Sequence, residues 1–168
     1  FVSGGLAGAD LIAAGSGNDI VLGGPGEDII KGNYGNDVIN AGDSIVGDLA
    51  DGGAGSDFIH NGNQGANVIA SGETGDDFLQ GGIGPDTFIG GDGNDWIEGG
   101  DAADIVDGDN GLNGGGGQLL TGGNDVVDGG LQNDLVAGGP GDDILRAGNG
   151  FDVLDGGTGF DWISYSHA

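Results

Sequence analysis

The chain has 168 residues, 45 of them glycine, and its 28 acidic side chains face only Lys31 and Arg146, giving a formal charge of −26. Glycine at that density weakens helices, each one in a helix interior costing about 1 kcal/mol relative to alanine, and such acidity argues against nucleic acid and anionic membranes, which need basic patches. Without cysteine there are neither disulfides nor thiolate metal sites, and no apolar run reaches the roughly 18 residues of a membrane span.

The chain opens at Phe1 with no signal-type segment and reads as one domain, 1–168, excised from a larger protein. From there a nine-residue unit takes over: glycine, glycine, any, glycine, any, Asp, any, apolar, any. Asp10, Asp19, Asp28 and Asp37 stand nine apart. Residues 41–51, AGDSIVGDLAD, fit one turn with two extra residues, and Asp48 stands in for the motif Asp. Asp57 follows, then Asn67 and Asp77 at spacing ten; Asn67 replaces an Asp and its turn lacks the second glycine, so a weak or empty site is expected there. Asp77, Asp86, Asp95 and Asp104 return to nine. Residues 108–120, GDNGLNGGGGQLL, read as a longer loop in place of one turn, with Asn113 at the motif position. Asp125, Asp134, Asp143, Asp152 and Asp161 complete the series. After Ser164 the pattern ends, and Trp162, Tyr165 and His167 either cap an open core or begin a neighbouring domain.

The eighth position is Ile12, Val21, Ile30, Ile39, Ala50, Ile59, Ile69, Leu79, Phe88, Ile97, Val106, Val127, Val136, Leu145, Leu154 and Ile163, apolar throughout. In a three-residue strand between turns, alternation turns this residue inward, and stacked strands build a narrow aliphatic core. The seventh position should face outward, yet only Thr87 among its sixteen members is polar. That leaves two readings open: a preference for strand formers, or apolar stripes for a neighbouring domain or a second copy. Nine residues of turn plus strand reverse the chain, so 18 make a coil of two short strands. The chain then holds about nine coils in an all-β rod roughly 45 Å long at ~4.8 Å per strand.

Several copies are nearly complete: GGPGEDIIK at 23–31, GGAGSDFIH at 52–60, GGDGNDWIE at 91–99, GGPGDDILR at 138–146 and GGTGFDWIS at 156–164. This nonapeptide resembles the RTX (repeats-in-toxin, haemolysin-type) calcium-binding repeat. The resemblance implies a right-handed parallel β-roll, a solenoid with calcium ions between stacked turns. It also implies a secreted, extracellular or cell-surface bacterial protein using type I export. The candidate ligands are Asp10, Asp19, Asp28, Asp37, Asp57, Asp77, Asp86, Asp95, Asp104, Asp125, Asp134, Asp143, Asp152 and Asp161. Carbonyls of the turn glycines join them, among them Gly24, Gly26, Gly53, Gly55, Gly82, Gly84, Gly91, Gly93, Gly139, Gly141, Gly157 and Gly159. Calcium takes six to eight oxygens, as such turns supply, whereas magnesium's tight octahedral shell suits them poorly.

Counting coils of 18, one edge carries Asp10, Asp28, Asp86, Asp104, Asp125, Asp143 and Asp161. The other carries Asp19, Asp37, Asp57, Asp77, Asp95, Asp134 and Asp152. Ala102 and Gln132, in place of the fourth glycine, are expected to distort their turns. Glu27, Asp76 and Asp142, just before the motif Asp, read as solvated surface. His60 and His167 lie far apart, and neither HExxH nor G-x-S-x-G nor a phosphate-binding GK[ST] occurs, so no catalytic role is expected. The expected function is a calcium-gated folding and spacer module, without nucleic-acid or membrane-spanning contacts. Two alternatives remain: a partner-binding module of an RTX adhesin, or a non-catalytic segment of a larger secreted enzyme. For the latter, GGDGNDWIEGG, GDNG and GFDWIS are similar to RTX segments of bacterial haem peroxidases.

Overall fold

The computed structural model describes residues 1–4, 7–42, 47–61, 67–109 and 122–165. Asn113 and His167 lie outside them. The described residues form two parallel sheets and no helix.

The first sheet stacks three-residue strands: β1 Val2–Ser3 (two residues), β3 Ile20–Leu22, β5 Val38–Asn40, β7 Phe58–His60, β9 Phe78–Gln80, β11 Trp96–Glu98, β13 Val126–Asp128, β15 Ile144–Arg146 and β17 Trp162–Ser164. The second stacks β2 Leu11–Ser16, β4 Ile29–Tyr34, β6 Asp48–Ala54, β8 Val68–Thr74, β10 Thr87–Asp92, β12 Ile105–Asp107, β14 Leu135–Pro140 and β16 Val153–Thr158. Strands alternate between sheets along the chain, so each coil contributes one strand to each. The second sheet's strands mostly run six or seven residues, because pairing continues past the apolar centre into the turn glycines, as at Gly15↔Asn33 and Gly139↔Gly157.

The described residues make eight coils, one fewer than uniform 18-residue spacing predicts, because three are longer. Along one edge, backbone N–H bonds to the next coil span 20 residues from Asp37 to Asp57 and from Asp57 to Asp77, and 30 residues from Asp95 to Asp125. Strand register is held by burial, since a one-residue slip would send every core side chain outward. The longer spacings fall between strands and leave strand register unchanged, as expected where loop closure costs little more with length.

The core is the expected single file. Val21, Ile30, Ile39, Ile59, Leu79, Phe88, Ile97, Val106, Val127, Val136 and Leu145 are fully buried. Ile69 departs from it. Val68 and Ala70 are buried while Ile69 is 55% exposed, and Val68 pairs with Asp48 and Ala70 with Ala50. The residue at the Asp position of this turn is therefore Val68, not Asn67, and the apolar centre is Ala70. Counting nine back from Asp77 reaches Val68; counting ten on from Asp57 reaches Asn67. Burial selects the first.

The seventh position lies outside, as expected. Leu11, Ile29, Leu49, Ile69, Ile105, Leu135 and Val153 form an exposed aliphatic row on the second sheet. On the first, Phe58, Phe78 and Trp96 stack as tilted rings with centroids 5.1 and 5.9 Å apart. Offset aromatic pairs of this kind add about 0.5–1.5 kcal/mol beyond burial.

Candidate metal centre

Each turn ends on its motif residue, which immediately precedes a strand or, at Asp48 and Val68, begins it, so stacking the strands stacks these residues in two lines. Along the edge entering the first sheet stand Asp19, Asp37, Asp57, Asp77, Asp95, Asp125, Asp143 and Asp161. Each after the first accepts, through Oδ1, the backbone N–H of the Asp one coil earlier, at 2.7–3.1 Å. Along the edge entering the second sheet stand Asp10, Asp28 and Asp48, then Val68, then Asp86, Asp104, Asp134 and Asp152, joined in the same way except that Asp48 N–H donates to the Asn67 carbonyl.

This arrangement corrects the edge assignment after residue 104. Asp125, Asp143 and Asp161 follow Asp95, and Asp134 and Asp152 follow Asp104, the reverse of what counting implies. The cause is the 108–120 insertion. β13 pairs directly with β11 and β14 with β12, so the chain between β12 and β13 adds no further strand to either pairing among the described residues. Asp48, by contrast, takes the motif place between Asp28 and Val68.

The second carboxylate oxygen carries the chemistry. Oδ2 of Asp28, Asp37, Asp48, Asp57, Asp77, Asp95, Asp104, Asp125, Asp134, Asp143 and Asp152 is buried with no hydrogen-bond donor among the described residues. Asp86 differs, its Oδ2 accepting the Gly82 N–H at 3.0 Å while the Asn61 amide lies 3.4 Å from its Oδ1. A buried anionic oxygen without a partner is costly in an interior that pairs nearly all polar groups.

Carbonyls surround these oxygens. A Cβ added at Gly52 would lie 2.5 Å from Asp57 Oδ2 and 3.0 Å from the Gly72 carbonyl of the next coil, so only glycine leaves that space open. From the other side, the carbonyls of Gly24, Gly55, Gly82, Gly93, Gly139 and Gly141 each lie against a residue of the next coil. Each of these gaps thus receives oxygens from two coils. Gly24, Gly26, Gly53, Gly55, Gly91, Gly93, Gly139, Gly157 and Gly159 have the positive φ such turns require, whereas Gly82, Gly84 and Gly141 do not. Among the described residues no three acidic or histidine side chains form a ready-made cluster, so a cage here joins Asp carboxylates to a ring of carbonyls. Hard oxygen donors in this number, with empty buried valences facing them, fit calcium.

Burial pushes the carboxyls of Asp77, Asp95, Asp104 and Asp125 up to about 7 and that of Asp134 to about 6, against the pull of backbone N–H donors and with help from neighbouring carboxylates. It also raises Asp48, Asp57, Asp86 and Asp143. At neutral pH the cation-free site therefore competes between holding protons and repelling itself.

Ala102 and Gln132 stand where Gly26, Gly55, Gly93 and Gly159 have φ of 147°, 135°, 141° and 144°. Both adopt the left-handed backbone, at φ 82° and 78°, and carry the strain of a Cβ there. Asp76 and Asp142 are exposed, as expected, but also bonded. Asp76 Oδ1 accepts the Asn94 N–H and its side-chain amide, which lower its carboxyl, and Asp142 Oδ1 accepts the Phe160 N–H. Counting missed Asp107 and Asp109, both buried, because Asp107 takes the variable ninth place of its copy and Asp109 lies inside the insertion. Burial draws His60 below the usual imidazole range where it packs on Phe58.

The chain matches the family profile of the RTX calcium-binding nonapeptide repeat (4 copies) at residues 5–30, 22–44, 47–69, 61–88, 71–106, 81–114, 121–154 and 146–164. No curated protein matches it.

Proposed function

The chain belongs to the RTX calcium-binding repeat family, and from that premise we propose that it is a calcium-gated folding module of a secreted bacterial protein, exported unfolded by a type I system and serving outside as a non-catalytic structural spacer. The observation that carries this is the pair of carboxylate ladders with buried, donorless Oδ2 atoms. Bound calcium would supply positive charge between coils, neutralising two successive turns and joining them. Asp57, Asp77, Asp95, Asp104, Asp125, Asp134 and Asp143, with the turn carbonyls, are the residues we assign to hold it. Asp10, Asp19, Asp28, Asp37, Asp48, Asp152 and Asp161 extend the same lines toward the ends.

The chain's own chemistry favours gating. With a charge of −26 and its acidic ligands unpaired, the calcium-free chain resists compaction, which suits passage through an export channel. Outside, binding energy becomes folding energy, because the cages exist only once coils stack. Extracellular calcium modules work at about 10⁻⁴–10⁻³ M. The test is far-ultraviolet circular dichroism of the chelator-treated chain, titrated with calcium and separately with magnesium. A coil-to-β transition near millimolar calcium and absent with magnesium is expected. A chain fully folded in chelator at neutral pH would refute the gating.

A further inference from the structure

One gap differs from all others, and the difference lies outside the repeat motif. In the second sheet, the residue that enters each turn is Gly15, Asn33, Gly53, Glu73, Gly91, Gly139 or Gly157, and all seven have positive φ. Successive members pair, Gly15 with Asn33, Gly53 with Glu73, Glu73 with Gly91 and Gly139 with Gly157. Asp109 is the eighth member. It follows β12, its N–H donates to the Gly138 carbonyl at 3.2 Å, and it lacks the positive φ of the rest.

The consequence appears one coil on. Gly53, Gly91 and Gly157 each lie against the backbone carbonyl of the row member before them, Asn33, Glu73 and Gly139. Gly139 instead lies against the Asp109 side chain, 2.5 Å separating its notional Cβ from Oδ2. A carboxylate oxygen stands where the other turns place a neutral carbonyl. Asp109 is 2% exposed, and its Oδ2 has no donor among the described residues. Its Oδ1 accepts the Gly123 N–H at 3.3 Å, which holds the side chain toward the gap. The donorless Oδ2 of Asp125 and the Gly138 carbonyl face each other across Gly108 in the same gap.

We infer that Asp109 is a further calcium ligand, supplied by the insertion and not by the repeat, which makes the gap between the coils of Asp125 and Asp143 the tightest-binding cation site of the roll. The inference rests on the calcium reading above. Ligand charge tunes the affinity of oxygen-donor calcium sites, and exchanging a carbonyl for a carboxylate adds a full negative charge next to the ion. Like charges hold the carboxylates apart until a cation lies between them.

Calcium affinity separates ligand from bystander by sign. Neutralising a buried acid that only repels its neighbours makes folding easier and lowers the calcium needed; neutralising a ligand raises it. Asp109→Asn keeps the acceptor for Gly123 and removes the charge, and Asp109→Gly restores the residue of most sister turns. Competition with a chromophoric calcium chelator, alongside circular dichroism at saturating calcium, should show both variants folded. Their tightest-bound calcium should be weakened about tenfold or more, while exposed Glu27→Gln leaves it unchanged. An unchanged or tightened first ion in both variants, with wild type still binding calcium, overturns the role of Asp109 alone. Wild type that binds no calcium overturns the calcium reading itself.

Discussion

The two edges of the roll are built from one nine-residue unit, yet the edge entering the first sheet is an unbroken line of eight aspartates and the other is cut at Val68. Around the cut the chemistry changes. Val68 belongs to the apolar core, and Asp86, the next in line, has turned Oδ2 to the Gly82 N–H. A side chain that packs needs no counter-ion, so this stretch of the edge is held by burial where its opposite depends on charge neutralisation. A solenoid tolerates the mixture because each coil answers only to its neighbours. Local exchanges of cation for core therefore leave the remaining coils intact.

Calcium withdrawal across a pH range gives the largest effect. The raised carboxyls bind protons more tightly in the folded roll than in the unfolded chain, where they titrate near 4. Protonation thus supports the calcium-free fold fully below about pH 4, and that support is lost as pH rises through about 7. Circular dichroism in chelator should show β-structure at pH 4 and its loss by pH 8, with calcium restoring it. A calcium-free fold that strengthens toward pH 8 would contradict the burial of these groups.

Single substitutions then separate the edges. Asp95→Asn, in the unbroken line, should raise the calcium midpoint of folding about tenfold, whereas Asp86→Asn should move it less than threefold because a backbone donor already satisfies its Oδ2. Equal shifts would mean that the cut has no energetic meaning. Val68→Asp should splice the broken line: calorimetry should count at least one more bound calcium, and the calcium-free chain should lose stability from an unpaired buried charge. The smallest effect is at Ala102. Ala102→Gly should raise the thermal stability of the calcium-bound roll by about 1 kcal/mol by relieving its left-handed backbone, with calcium stoichiometry unchanged.

Much of this was legible in the residues. Spacing of nine, glycine before each Asp and an apolar eighth position dictate short parallel strands, two carboxylate edges and one aliphatic file, and Asp48 was identifiable despite its irregular turn. The failures cluster where spacing is not nine. At Asn67 and Val68, counts from the two sides disagree by one, and only the burial of Val68 and Ala70 against exposed Ile69 decides. At 108–120, length alone does not say whether extra residues replace a half-coil or swell a turn, and the wrong choice exchanged the edges of five aspartates.

The residue pattern by itself determined the repeat, the strand alternation and the carboxylate-and-carbonyl chemistry of the turns, because each is set within nine residues by local backbone and side-chain preferences. Only the tertiary structure decided which edge each Asp joins beyond the insertion, that a valine interrupts one line, and that Asp109 takes a carbonyl's place. Those are relations between coils, fixed by strand register through burial, while loop length is left nearly free by the slow growth of closure entropy.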